Sequence, residues 1–135
     1  MNPPAVSAAH SILVAEDNRV MSDVMRFNLQ KAGYHVTIAR NGTEAWELLQ
    51  SARFDVLVTD YQMPGLTGEE VCKAMRTHRP DLHLPIIFLS ARGLELSVER
   101  MKSELGIETL LHKPFSPREL LEAVAKCVEK TTVPV

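Results

Sequence analysis

No apolar run in this sequence approaches the ~20 residues needed to cross a bilayer, so no transmembrane helix is expected. The opening stretch, Met1-Asn2-Pro3-Pro4-Ala5-Val6-Ser7-Ala8-Ala9, lacks a basic region and a long apolar core. It therefore does not read as a secretory signal, and residues 1–10 are expected to be a flexible lead-in. A basic excess is also missing. The formal net charge of -2 offers no electrostatic footprint for nucleic acid. Cysteine is scarce. Cys72 and Cys127 both fall on predicted helices, and neither has a Cys or His nearby at metal-binding spacing. They read as reduced thiols packed like small apolar side chains, which fits a cytoplasmic protein. The histidines, His10, His35, His78, His83 and His112, do not cluster and read as surface or loop residues, with His112 pointing away from its strand-end neighbour Lys113. There is no internal repeat, low-complexity segment or interdomain linker.

Three apolar runs, each ending on a charged residue, stand out. Ser11-Ile12-Leu13-Val14-Ala15 runs into Glu16-Asp17, Phe54 to Thr59 runs into Asp60, and Thr109-Leu110-Leu111-His112 runs into Lys113-Pro114. Short apolar runs bounded by turn residues are expected to be buried strands. Two more strands are expected over His35 to Ala39 and Pro85 to Leu89, the latter ending on Ser90-Ala91. Helices fill the intervals. Asn18 caps the first, which places Val20, Val24, Met25, Phe27, Leu29 and Ala32 on its apolar side and closes at Gly33. The second follows Asn41-Gly42-Thr43, with Ala45, Trp46, Leu48 and Leu49 inward. The third covers Glu69 to Thr77 with Val71, Ala74 and Met75 inward, after a Pro- and Gly-rich loop from Met63 to Gly68. The fourth spans Leu94 to Leu105, stopped by Gly106. The last spans Ser116 to Lys130, opened by a capping box of Ser116 and Glu119 with Pro117 at its first turn.

Strand and helix alternate five times over 135 residues, the length of one domain. With 45% hydrophobic residues the chain can fill a core. The pattern predicts a doubly wound α/β fold, a five-stranded parallel sheet with helices on both faces and right-handed crossovers. The domain is expected over residues 11–130, with a tail over 131–135.

In such a sheet, ligands bind outside the carboxyl ends of the strands. One rim then collects Glu16, Asp17, Asp60 and Lys113. Crowded carboxylates repel one another, and a cation relieves them. Magnesium takes oxygen ligands, one or two carboxylates per site, and keeps waters or phosphate oxygens in its octahedron. A carboxylate beside such an ion is a competent nucleophile toward phosphorus. Lys113 and the Ser90 hydroxyl are placed to hold phosphoryl oxygens, with backbone N–H groups after Asp60 and at Ala91 as neutral donors. Each piece alone has an ordinary reading: a solvated acidic pair, a turn aspartate, a Lys-Pro after a strand. Their occurrence in order on strands one, three, four and five specifies a single site.

These residues, Glu16-Asp17, Asp60 with Met63-Pro64-Gly65 and Gly68 behind it, Ser90-Ala91 and Lys113-Pro114-Phe115, resemble the receiver domain of bacterial two-component response regulators of the single-domain, chemotaxis-regulator-like type. The resemblance covers about Ser11 to Lys130. It implies a flavodoxin-like sheet in the order 2-1-3-4-5. It further implies that Asp60 accepts a phosphoryl group from a phosphohistidine on a sensor histidine kinase or histidine phosphotransfer protein. Magnesium would be held by Asp17, Asp60, Glu16 directly or through water, and the backbone carbonyl of Gln62. Ser90 and Lys113 would bind the phosphoryl oxygens, and Ala91 would adjoin the switch. A downstream protein target is implied, the chain being a monomer or weak dimer and not itself an enzyme. The start of the first helix, beside Asp17, is the expected kinase-docking face. The fifth strand and its flanking helices are the expected target face, with Val98, Met101, Leu105, Leu110 and Val124 as possible apolar contacts, some of which must instead be core, since periodicity alone does not sort them.

The chain departs from the family pattern at Leu110, three residues before Lys113, where an aromatic that follows the strand-four hydroxyl inward is expected. Leu110 either repacks or cedes the switch to another element, the segment Arg92 to Leu105 being the candidate. Gln62 and Arg92, two residues beyond Asp60 and Ser90, stand at the mouth of the site, where side chains tune phosphoryl lifetime. The alternative function is a magnesium-dependent phosphatase using Asp60 as a turnover nucleophile. Such enzymes place a second Asp two residues later as general acid, where this chain has Gln62. A flavin carrier on the same fold is disfavoured because Glu16-Asp17-Asn18 would repel a phosphate without metal. No attached output domain is expected after Lys130. The chain then reads as a stand-alone regulator, a relay intermediate or a piece of a larger protein.

Overall fold

Each of the five apolar segments is paired on its backbone in the structure, a computed structural model that describes residues 9–91 and 97–131. The elements alternate as β1 (Ser11–Ala15), α1 (Arg19–Lys31), β2 (His35–Ala39), α2 (Gly42–Ser51), β3 (Val56–Asp60), α3 (Gly68–His78), β4 (Ile86–Ser90), α4 (Val98–Leu105), β5 (Thr109–His112) and α5 (Pro117–Thr131). All neighbouring strands are parallel, in the order β2-β1-β3-β4-β5. This is the flavodoxin-like, doubly wound order, and it puts the ends of β1, β3 and β4 side by side. The lead-in and tail expected over residues 1–10 and 131–135 lie almost entirely outside the described residues, as does the part of the predicted fourth helix before Ser97.

Both faces of the sheet are covered because β3 and β4 carry apolar side chains at successive positions. Leu13, Leu57, Ile86, Phe88 and Leu110 pack with Leu49 of α2, Val71 and Met75 of α3 and Met101 of α4. Ile12, Val14, Val56, Val58, Ile87 and Leu89 face Met25 and Leu29 of α1 and Leu120 and Val124 of α5. Cys72 and Cys127 lie in these two layers as free thiols. Burial pushes the Cys72 thiol up to about 12, so it stays protonated at neutral pH. Trp46 is partly buried against the first layer, its ring 6.1 Å from that of His78.

The helix caps follow the sequence closely. Asn18 accepts from the Met21 N–H at 2.8 Å, and Asn41 accepts from the Glu44 N–H at 2.7 Å. Ser116 and Glu119 form the expected reciprocal box at 2.8 and 3.1 Å. A second box, Thr67 with Glu70, opens α3.

One expectation is corrected. On α1, only Met25 and Leu29 of the predicted apolar side are buried, while Val20, Val24 and Phe27 are 73%, 48% and 64% exposed. Ala32 is exposed as well. The helix is apolar around a wider arc than the sheet covers, and its buried stripe is completed by Ser22. Of the possible target-face residues, some of which had to be core, Met101, Leu105, Leu110 and Val124 belong to the core and Val98 is partly buried. No described helix is long and apolar enough to cross a membrane.

Two glycines set the loop beyond β3. A Cβ on Gly42 would lie 1.7 Å from the Leu66 carbonyl oxygen, and one on Gly68 would lie 2.5 Å from that of Asp60. The start of α2 is thereby pressed against the loop, with the Gly42 N–H donating to the Pro64 carbonyl at 3.2 Å. Gly42→Ala must push backbone against backbone. It is expected to lower unfolding stability by about 1–3 kcal/mol, read as a fall in the urea midpoint at unchanged slope.

Candidate functional site

Strand ends deliver the charged residues. The Glu16 N–H extends the β1–β2 ladder by donating to the Ala39 carbonyl at 3.0 Å. Asp60 ends β3, and the following Tyr61 N–H donates to the Leu89 carbonyl at 2.8 Å. Lys113, one residue beyond β5, donates its backbone N–H to the Ser90 carbonyl at 2.8 Å. The rule that ligand sites lie beyond the carboxyl ends of parallel strands is met by hydrogen bonds that continue the sheet into its loops.

The side chains converge. Lys113 Nζ donates to Glu16 Oε1 and to Asp60 Oδ2, both at 2.9 Å. The second Glu16 oxygen accepts from the Asn18 N–H at 3.0 Å, so the residue that caps α1 also holds the carboxylate. Side-chain exposure is 1% for Glu16, 10% for Asp60 and 21% for Lys113. Asp17, exposed, offers a carboxylate oxygen within 4.8 Å of those of Glu16 and Asp60.

The electrostatics reflect one ammonium serving two enclosed carboxylates. Burial raises the Glu16 carboxyl above its ordinary 4.5, outweighing the opposing hydrogen bonds from Lys113 and Asn18, and nearby Asp60 adds to the rise. Burial by itself would lower Lys113, but its bonds to Asp60 and Glu16 leave it above its ordinary 10.5. The two directions differ in what they say of the pair. The Lys113 direction follows from its having two anionic partners. The Glu16 direction follows from its near-complete enclosure with half a cation. Both describe a site short of positive charge. Three all-oxygen donors in such a place fit a hard divalent ion and not a soft one.

The other predicted site residues are placed less centrally. Ser90, fully buried, donates its hydroxyl to the Ala91 carbonyl at 3.3 Å. Gln62 and Ala91 are exposed beyond the ends of β3 and β4. Arg92 lies outside the described residues. Leu110 is 9% exposed and sits beside Phe88 in register. The Lys113–Pro114 peptide is cis. The hydrogen bond from the Tyr61 hydroxyl to Glu69 Oε1, 3.0 Å, was not foreseen. The only available signal was a tyrosine directly after Asp60. A groove of about 830 Å³ lined by Arg53, Asp55, Arg79 and His83 lies at the amino-terminal ends of β3 and β4, the opposite rim, and contains none of the acidic cluster.

The family model described as the response regulator receiver domain matches residues 12–125. Among solved structures, the chain is similar to the chemotaxis response regulator CheY4 of Vibrio cholerae, at 34% identity and TM-score 0.78 over 88% of this chain and 98% of that one. It is similar to the receiver domain of the Francisella response regulator 1452, at 30% identity and TM-score 0.80 over 91% and 99%. A third likeness is the receiver domain of a sensor histidine kinase from Pseudomonas aeruginosa, solved with a magnesium ion coordinated in its active-site cleft. It shows 28% identity and TM-score 0.78 over 89% and 98%.

If Glu16 is among the ligands of a divalent ion, it must be ionised to bind it, and burial raises its carboxyl above the ordinary 4.5. A carboxyl raised in the ion-free fold takes up its proton earlier than an ordinary one as pH falls. Magnesium affinity is therefore expected to weaken steadily as pH drops from 7 toward 5, with protons released on binding. Calorimetric titration in buffers of different ionisation enthalpy measures both; a flat profile would remove Glu16 from the ligand set.

Proposed function

This chain belongs to the response regulator receiver domain family, a module of two-component signalling, and we propose that Asp60 is its phosphoacceptor. The observation that carries the reading is the ammonium of Lys113 shared by Glu16 and Asp60, with the Asp17 carboxylate beside them. An oxygen of Asp60 forms the bond to phosphorus as the phosphorus–nitrogen bond of a donor phosphohistidine breaks. The imidazole leaves with the electron pair. Lys113, already within hydrogen-bond reach of Asp60, moves its ammonium to an incoming phosphoryl oxygen. The Ser90 hydroxyl exchanges its long bond to the Ala91 carbonyl for another such oxygen. Glu16, Asp17, Asp60 and the backbone carbonyl of Gln62 would hold magnesium. When bound, the ion supplies counter-charge for the crowded carboxylates and for the transferring group. Gln62, with no acidic group of its own, fits a slow hydrolysis of the product better than repeated turnover, so the phosphatase alternative is the weaker one.

The donor's docking face follows from α1. Val20, Val24 and Phe27 lie at helical spacing on its outer side, exposed, on a helix that begins two residues after Asp17. An apolar stripe at that place suits the helical phosphotransfer domain of a sensor histidine kinase, whose histidine must reach Asp60.

Intact-mass measurement after incubation with magnesium and acetyl phosphate is expected to show the gain of one phosphoryl group. Asp60→Asn or a chelator should abolish it. Labelling of Asp60→Asn to the native extent would defeat the assignment, and continuous release of phosphate would favour the phosphatase. Phe27→Ala is expected to slow transfer from a phosphorylated histidine kinase about tenfold relative to labelling by acetyl phosphate. An unchanged ratio of the two rates would place the docking face elsewhere.

A further inference from the structure

Tyr61 directly follows Asp60 and is held on every side. Its N–H donates to the Leu89 carbonyl at 2.8 Å, and its carbonyl accepts from the Gly68 N–H at 3.0 Å. Its ring meets Phe88 edge-on, centroids 5.7 Å apart. Its hydroxyl donates to Glu69 Oε1 at 3.0 Å. Burial and the neighbouring Glu69 both raise the Tyr61 phenol, which keeps it a donor.

Glu69, in the first turn of α3, gathers partners from three elements. These are Tyr61 after β3, Lys73 one turn on in α3 at 3.1 Å, and Arg100 of α4 at 3.8 Å. Arg100 also pairs with Glu104 of its own helix at 2.7 Å. At the other end of α4, Arg76 of α3 donates to the Leu105 carbonyl at 3.1 Å and to the Gly106 carbonyl at 3.4 Å. The described α4 has eight residues, of which Met101 and Leu105 are buried. A helix that short is marginal alone, so its order depends on what it is tied to. Leu110, the residue of β5 beside Phe88, has no polar group that could change partners. Among the described residues, the polar side-chain path from the Asp60 turn to α4 runs through Tyr61.

We propose that the chain Tyr61–Glu69–Arg100 carries the state of Asp60 to α4, so that loading Asp60 and loosening α4 are one coupled equilibrium. This rests on the phosphoacceptor reading above and names its internal route. In the structure Asp60 is held by Lys113 and Tyr61 by Glu69; both bonds belong to the unloaded state. A phosphoryl group on Asp60 adds about -1.5 to -2 charge and three acceptor oxygens at the turn whose next residue is Tyr61. A shift of that turn moves the ring against Phe88 and draws the hydroxyl from Glu69. Glu69 then turns to Lys73, and Arg100 falls back on Glu104.

The test is amide hydrogen exchange over Val98–Leu105 with and without magnesium and beryllium trifluoride, a phosphoryl mimic whose binding is read independently by fluorine NMR. In the native chain, loading is expected to speed exchange in α4 about two- to tenfold, the scale of one hydrogen bond. Tyr61→Phe keeps the ring and its Phe88 contact and removes only the hydroxyl. It should bind the mimic, exchange fast at α4 from the start, and respond little to loading. Arg100→Ala, at a half-exposed position, should do the same. A native-sized response in both variants with mimic bound overturns the proposal, as does a native α4 that ignores bound mimic. No mimic signal on the native chain would instead sink the phosphoacceptor reading, and this inference with it.

Discussion

One ammonium divided between two buried carboxylates governs this molecule. Glu16 and Asp60 arrive from strands far apart in sequence, and neither has enough cation to itself. Taking carboxylates out of water is costly unless each is paired and hydrogen-bonded. The fold meets that cost only partly, with Lys113 at 2.9 Å from each and one backbone N–H from Asn18. That shortfall leaves the cluster able to accept a further cation.

The parallel sheet is what makes the convergence possible. β1 lies between β2 and β3, and β3 between β1 and β4, so the last residues of β1 and β3 are neighbours although more than forty positions separate them. Lys113 comes in from beyond β5, across the end of β4, and its backbone is fixed there by the Ser90 carbonyl. The loop beyond Asp60 is braced from the other side by the start of α2, where Gly42 admits the Leu66 carbonyl. Hydrogen-bonded backbone thus surrounds the carboxylates, while the side chains of Lys113 and Ser90 are bound through single hydrogen bonds to each partner.

Much of this was legible in the sequence because the signals were local. Apolar runs stopping at Asp17, Asp60 and Lys113 marked the strands and the rim together. Asn18, Asn41 and the Ser116–Glu119 pair marked helix starts through capping chemistry that acts within one turn. What was missed is non-local. Periodicity on α1 shows that Val20, Val24, Phe27, Met25 and Leu29 are apolar, but the arc that the sheet covers depends on how the helix lies on β1 and α5. The sheet took Met25 and Leu29 and left the others in solvent. Periodicity could not sort Met101 and Val124 between core and partner surface for the same reason, and the structure places both in the core. The path from Tyr61 to Arg100 crosses three elements, and no spacing rule connects residues 61, 69 and 100.

On the proposed phosphoacceptor reading, the same shortage of positive charge makes a single covalent event at Asp60 disruptive to the pairing at the rim. In the unloaded site Lys113 is committed to both carboxylates. A phosphoryl group brings more negative charge than Asp60 itself carried, so it competes for that ammonium with an advantage that no neutral neighbour can match. Glu16 then loses its share, and its enclosure makes an unpaired charge there untenable without another cation. On that reading, loading would be coupled both to metal occupancy and to the turn at Tyr61.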